Sequence, residues 1–68
     1  MNETLRYEFR FAERLSQTVQ HAFPGLHVSA TSDHVLYGPV VDQDELEGLI
    51  ARFSLLRLTL LEMHRLPD

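Results

Sequence analysis

Polar and apolar positions alternate from Leu5 to Phe11, with Tyr7, Phe9 and Phe11 on one side and Arg6, Glu8 and Arg10 on the other. A period of two with aromatics on one face predicts a half-buried strand. A helical spacing also runs through Leu5, Phe9, Ala12, Ser16, Val19 and Phe23. That helix would put Tyr7 and Phe11 on or near its wet side, so the strand is the better reading. Ser16 then reads as the N-cap of a short helix through Phe23, with Val19, Ala22 and Phe23 facing inward. Pro24-Gly25 stops this helix, because proline cannot continue the backbone ladder and glycine accepts a positive φ. Leu26, Val28 and Ala30 alternate with His27, Ser29 and Thr31 as a second strand. Ser32-Asp33 signals a turn, and Val35 to Tyr37 begins a third strand that completes a hairpin. Gly38-Pro39 is expected to close the third strand, since proline lacks the N–H of an interior ladder position.

The second half is patterned more sharply. Asp42 with Glu45 three residues on is a capping pair, and Asp44, Glu45 and Glu47 place negative charge at the positive end of a helix dipole. Leu46, Leu49, Ile50, Phe53 and Leu56 form the apolar stripe of that helix. Arg57 stands where a glycine would be expected. A last strand follows to Leu66, with Leu61 and Met63 predicted inside and Glu62 and His64 outside. The order β-α-β-β-α-β, with right-handed crossovers, predicts an α+β fold: a ferredoxin-like sandwich with a four-stranded antiparallel sheet of order 4-1-3-2 and two helices on one face. Residues 1–68 are read as one domain.

Composition narrows the function classes. A 68-residue chain buries only roughly 60% of its unfolded surface, so its stability is expected to be modest or shared with a partner. There is no cysteine, which removes disulfides and thiolate metal sites. The net charge is −4 and every basic residue is arginine. Nucleic-acid backbones call for a basic surplus, so nucleic acid is not an expected partner. No run approaches the ~18 apolar residues of a membrane span. A cytoplasmic protein with no membrane partner is the expectation, and the preference for Arg and Leu over Lys and Ile points to a GC-rich source.

Several stretches resemble a group of short proteins from GC-rich actinobacteria. They are Leu15-Ser16, Phe23-Pro24-Gly25-Leu26, Val35-Leu36-Tyr37-Gly38-Pro39-Val40-Val41-Asp42-Gln43, Leu46, Gly48-Leu49, Arg52 and the Leu58-to-Met63 strand. Gly-Pro-Val-Val-Asp-Gln is the sharpest part. The chain departs from the group in a shorter hairpin and at Arg57, where its relatives tend to carry glycine. The resemblance supports the strand at residues 5–11. It implies no activity, so it assigns no catalytic, cofactor or metal residues.

Few constellations bear on chemistry. His21, His27, His34 and His64 lack the close spacing of zinc ligands. If Thr31 pairs with His34, His27 and His34 lie ~13 Å apart along the hairpin, too far to share a metal. Ser32-Asp33-His34 carries the letters of a catalytic triad, but three neighbours in one turn cannot form the side-chain relay. Asp42, Asp44, Glu45 and Glu47 lack the alternating ligand loop of a calcium site. A ligand turn at Gly38, Asp42 and Gln43 is a weaker reading than a structural turn, because Pro39 removes a donor and Asp42 repels an anion.

The helix-free face of the sheet is the expected interaction surface. Arg6, Glu8, Arg10, Leu36, Leu60 and His64 are placed on it, with Leu66 beside them, and a small domain gains most by covering aliphatics there. The leading expectation is a non-enzymatic module, without cofactor, that self-associates as a homodimer or docks on a protein partner. The alternative is a small-ligand-binding regulatory domain with its site near Gly38–Gln43, and an enzyme is the least favoured reading.

Overall fold

A computed structural model describes residues 4–67, so the ends of the predicted 1–68 domain lie outside the described residues. The elements are β1 (Leu5–Phe11), α1 (Gln17–Ala22), β2 (His27–Val28), β3 (Val35–Val40), α2 (Gln43–Leu55) and β4 (Leu60–Leu66). The sheet is antiparallel with order β2-β3-β1-β4, which is 4-1-3-2 read from the other edge.

One core joins both helices to one face of the sheet. Phe53 of α2 meets the rings of Phe9, Phe11 and Phe23 at centroid distances of 5.1, 4.9 and 5.0 Å. Edge-to-face and tilted packing of this kind adds to the burial of each ring. Leu15, Val19, Leu26, Leu36, Val40 and Leu46 complete the cluster.

Local chemistry sets the element ends. Ser16 Oγ accepts the Val19 N–H at 3.3 Å and caps α1. Asp42 accepts the Glu45 N–H at 2.9 Å, and Glu45 returns a bond to the Val41 N–H at 3.1 Å. The first bond satisfies an orphaned donor of the helix start, and the second ties down the N–H of the residue before the cap. Arg57, at φ 61°, ends α2 in the left-handed region. Its N–H bonds to Ser54 O, and the Leu58 N–H reaches Phe53 O, both at 3.0 Å. That is a Schellman closure with arginine in the glycine position.

Several expectations need correction. Gly38-Pro39 does not close the third strand, which runs on to Val40. Ser29 donates to Val35 O, so Val35, and by alternation Tyr37 and Pro39, direct their main-chain groups away from β1. The missing Pro39 N–H therefore points past the end of the short β2, where no ladder bond is due. β2 itself stops at Val28, and residues 29–34 form turns in place of the predicted longer hairpin.

The last strand also differs. Arg10 pairs with Glu62 but Phe11 with Leu60, so Leu61 is an extra residue in a β-bulge. Leu61 is 57% exposed and Met63 40%, not inside as predicted. Leu56 is likewise exposed, as the C-cap of α2 and not a member of its buried stripe.

Candidate functional site

Register decides which predicted interface residues share a face. Phe9 pairs with Leu36 and Met63, so Leu36 lies on the helix-covered side, where it is fully buried. Leu60, opposite Phe11, also turns to that side and packs half-buried against the core. Neither stands on the open face. The competition within β3 is thus resolved: Leu36, Gly38 and Val40 face the helices, while Val35, Tyr37 and Pro39 face the other way.

Arg6, Glu8, Arg10 and His64 do share the open face. Cross-strand pairs there set Glu8 against His64, Arg10 against Glu62 and Arg6 against Leu66. Arg10 Nε lies 3.3 Å from Glu62 Oε2, and His64 Nε2 lies 3.7 Å from the same oxygen. The β1–β4 part of this surface is an alternation of charges, while Val35, Tyr37 and Pro39 stand on its β3 part. Pairs this exposed add little to stability but do set register.

The predicted ligand turn is not one site. Gly38 is interior to β3, and the space above it is filled by Gly25 and Leu26. Asp42 spends its carboxylate on the cap, and Gln43 opens the helix. Beside this segment lies a cleft of about 240 Å³ between the α1–β2 turn and α2, lined by Phe23, Leu26, Pro39, Glu45, Leu49 and Arg52. Arg52 donates from Nη2 to Ala22 O and stacks 4.7 Å over the Phe23 ring. It thereby ties the end of α1 to α2. The spacing that predicted the α2 stripe contains no sign of this contact, because Arg52 lies on the polar side of that stripe.

The remaining polar residues serve connections. Glu13 accepts the Thr59 N–H at 2.6 Å and the Thr59 hydroxyl at 2.7 Å, and these bonds hold its carboxyl below the usual range. His34 Nδ1 meets Glu13 O at 3.0 Å. Arg14 forks onto Asp33, and Ser32 Oγ accepts the His34 N–H. Asp33 and His34 therefore bond to neighbouring residues of the β1–α1 loop, Ser32 accepts only the main-chain N–H of His34, and the three side chains form no relay. His27 pairs across the strands with Tyr37, not with a second histidine. Among the described residues no group of three His, Asp or Glu side chains is placed to hold a metal ion, and no helix is long and apolar enough to cross a membrane.

The exposure of apolar side chains on the outer strand is the feature that sequence reasoning missed. β4 is seven residues long and, among the described residues, pairs only with β1, and all but its end residues are exposed. Four of the five exposed large apolar side chains among the described residues, Leu55, Leu56, Leu61 and Met63, lie on or just before it in the chain. The bulge hid this, since a strict period of two carries Leu61 into the core.

No curated protein and no solved structure matches the chain. A family match spans residues 6–64, from the first open-face arginine to His64. The chain belongs to the family described as a domain of unknown function, DUF8691.

Proposed function

We propose that this chain is a non-enzymatic interaction module, a ferredoxin-like sandwich that self-associates along the β4 edge. The observation that carries the reading is a seven-residue edge strand with exposed Leu61 and Met63 and, among the described residues, no element covering its outer side. Such an edge presents unpaired main-chain donors and acceptors to any second strand. The open face loses Leu36 and Leu60, and its β1–β4 part carries Arg6, Glu8, Arg10, Glu62 and His64, charges that are costly to bury. An actinobacterial, cytoplasmic setting fits the arginine-only basic composition and the resemblance at Gly38–Gln43.

Light scattering on a size-exclusion column tests this. A two-strand seam belongs to the small, reversible interfaces below ~1,200 Å², so loading should extend to roughly 1 mM. Mass is expected to rise from monomer to dimer over the series, and Met63→Lys should abolish the rise while far-UV circular dichroism is unchanged. A wild-type monomer throughout overturns the reading.

The cleft beside Arg52 favours a second reading, a small-ligand sensor. Its volume, about 240 Å³, falls short of a drug-sized pocket but suits a ligand the size of an amino acid. A thermal-shift screen of amino acids and nucleotides should then find one that stabilises the wild type and fails with Arg52→Ala; no stabilisation by any of them removes this reading.

A further inference from the structure

The hydrogen-bond phase of the sheet shows what β4 offers. Phe11 donates to His34 O on the β3 side, and Ala12 donates to Thr59 O on the β4 side. Alternation then directs the even residues of β1 toward β4, so Glu62, His64 and Leu66 bond inward in the pairs Arg10–Glu62, Glu8–His64 and Arg6–Leu66. The main-chain groups of Met63 and Arg65 point outward, away from the sheet. A second strand can be received there without breaking any bond the fold already makes.

Resting on the edge-association reading above, we infer that the partner is a second copy of this chain, paired antiparallel through β4 about a two-fold axis at Met63. Antiparallel neighbours related by a two-fold axis normal to the sheet keep both sets of helices on the same face. Side chains can then sit opposite only others of their own face, which limits the registers to those centred on a residue. Centring on Glu62 opposes two glutamates, on His64 two histidines and on Arg65 two arginines. Like charges directly opposite destabilise a pair.

Centring on Met63 differs in three respects. It is the midpoint of Leu60–Leu66, so it gives the greatest overlap. It opposes Met63 to its own copy on the helix side, extending an apolar row from Phe9 across the seam. On the open face it sets Glu62 against the partner's His64, and the reverse. The row across the junction then reads Arg10, Glu62, the partner's His64, the partner's Glu8, with signs alternating when the imidazole is protonated. The two copies complement each other without any change in shape. The product is a continuous eight-stranded sheet with all four helices on one side.

The absence of native cysteine allows a direct test by disulfide trapping. Three single variants, Met63→Cys, His64→Cys and Leu55→Cys, are compared under mild oxidant in the concentration range of the light-scattering series. In the inferred register the two Met63 Cα atoms face each other at ~5.5 Å, within disulfide reach. Two copies of position 64 are offset by two residues and lie about 8–9 Å apart, beyond it. Leu55, 81% exposed on α2, reports random collision. Met63→Cys is expected to cross-link about tenfold faster than either other variant, the gap expected when only one pair of Cα atoms lies within the ~7 Å limit. A wild-type dimer in which His64→Cys cross-links fastest overturns this register and leaves the edge reading standing. A wild-type dimer with all three variants at the Leu55→Cys rate overturns this register, and the edge with it if Met63→Lys leaves that dimer intact. A wild-type monomer overturns the proposed function itself.

Discussion

Gly38 and Leu26 pack so closely that no side chain fits between them. A Cβ on Gly38 would lie 2.8 Å from Leu26 Cδ2 and 2.8 Å from Gly25 O. Leu26 can shift its methyl, but the Gly25 carbonyl is backbone and cannot swing aside. Gly38→Ala is therefore expected to cost about 1–3 kcal/mol, as overpacking of a close-packed core does. Urea unfolding followed by circular dichroism reads this directly. Wild-type stability in the variant would mean that the turn before β2 does not sit on β3 as described.

Arg57 offers the opposite case. Its left-handed backbone costs an L-residue roughly 1 kcal/mol that glycine does not incur. Arg57→Gly should raise the urea midpoint by an amount equivalent to about 1 kcal/mol, while Arg57→Ala should leave it nearly unchanged. The Schellman bonds to Phe53 O and Ser54 O are main-chain and survive both changes. An equal response to glycine and alanine would show that the positive φ is not the source of the effect.

Glu13 gives the fold a pH dependence. Its folded carboxyl ionises more readily than in the unfolded chain because Thr59 donates to it twice. The unfolded state therefore binds the proton more tightly, so this contribution is complete above the unfolded pKa and fades as pH falls through the lowered folded one. Glu13→Gln should be less stable than wild type at neutral pH, and the gap should close on acidification into the range below ~4. Thermal midpoints at a series of pH values measure it. A gap independent of pH would place the effect in packing rather than in the charge.

Much of the fold was legible in the order of residues, and the limits of that legibility have physical causes. Asp42 with Glu45 marked the start of α2, and Ser16 that of α1, because capping is local chemistry written within four residues. Tyr7, Phe9 and Phe11 marked β1 for the same reason: alternation lies within one segment. The facing of Leu36 is different. Val35, Leu36 and Tyr37 are all apolar or aromatic, so the choice among them is made by pairing with Phe9, a partner 27 positions away. Leu61 departs from the period-two expectation because a bulge interrupts the alternation of β4. Gly38-Pro39 suggested a strand end because the direction of a proline nitrogen depends on which neighbour strand extends past it. These three failures concern a relation between strands, whereas Leu56 fails within its own helix and the sheet order, a relation between strands, agrees with expectation.

The association surface followed the same division. Arg6, Glu8, Arg10 and His64 were assigned to one face and share it, since alternation alone groups them. The exposure of Leu61 on the outer strand, by contrast, depends on a bulge that alternation does not announce.

The two borders of this sheet are unequal: β2 is two residues long and β4 seven. Growth of a sheet into a fibre requires each molecule to offer two usable borders, one to receive and one to give. Here one border is too short to hold a neighbour, so a molecule joined through its long side has nothing left to extend from. In the proposed pairing, brevity at β2 would act as a chain terminator, so assembly along this sheet is expected to stop at two copies.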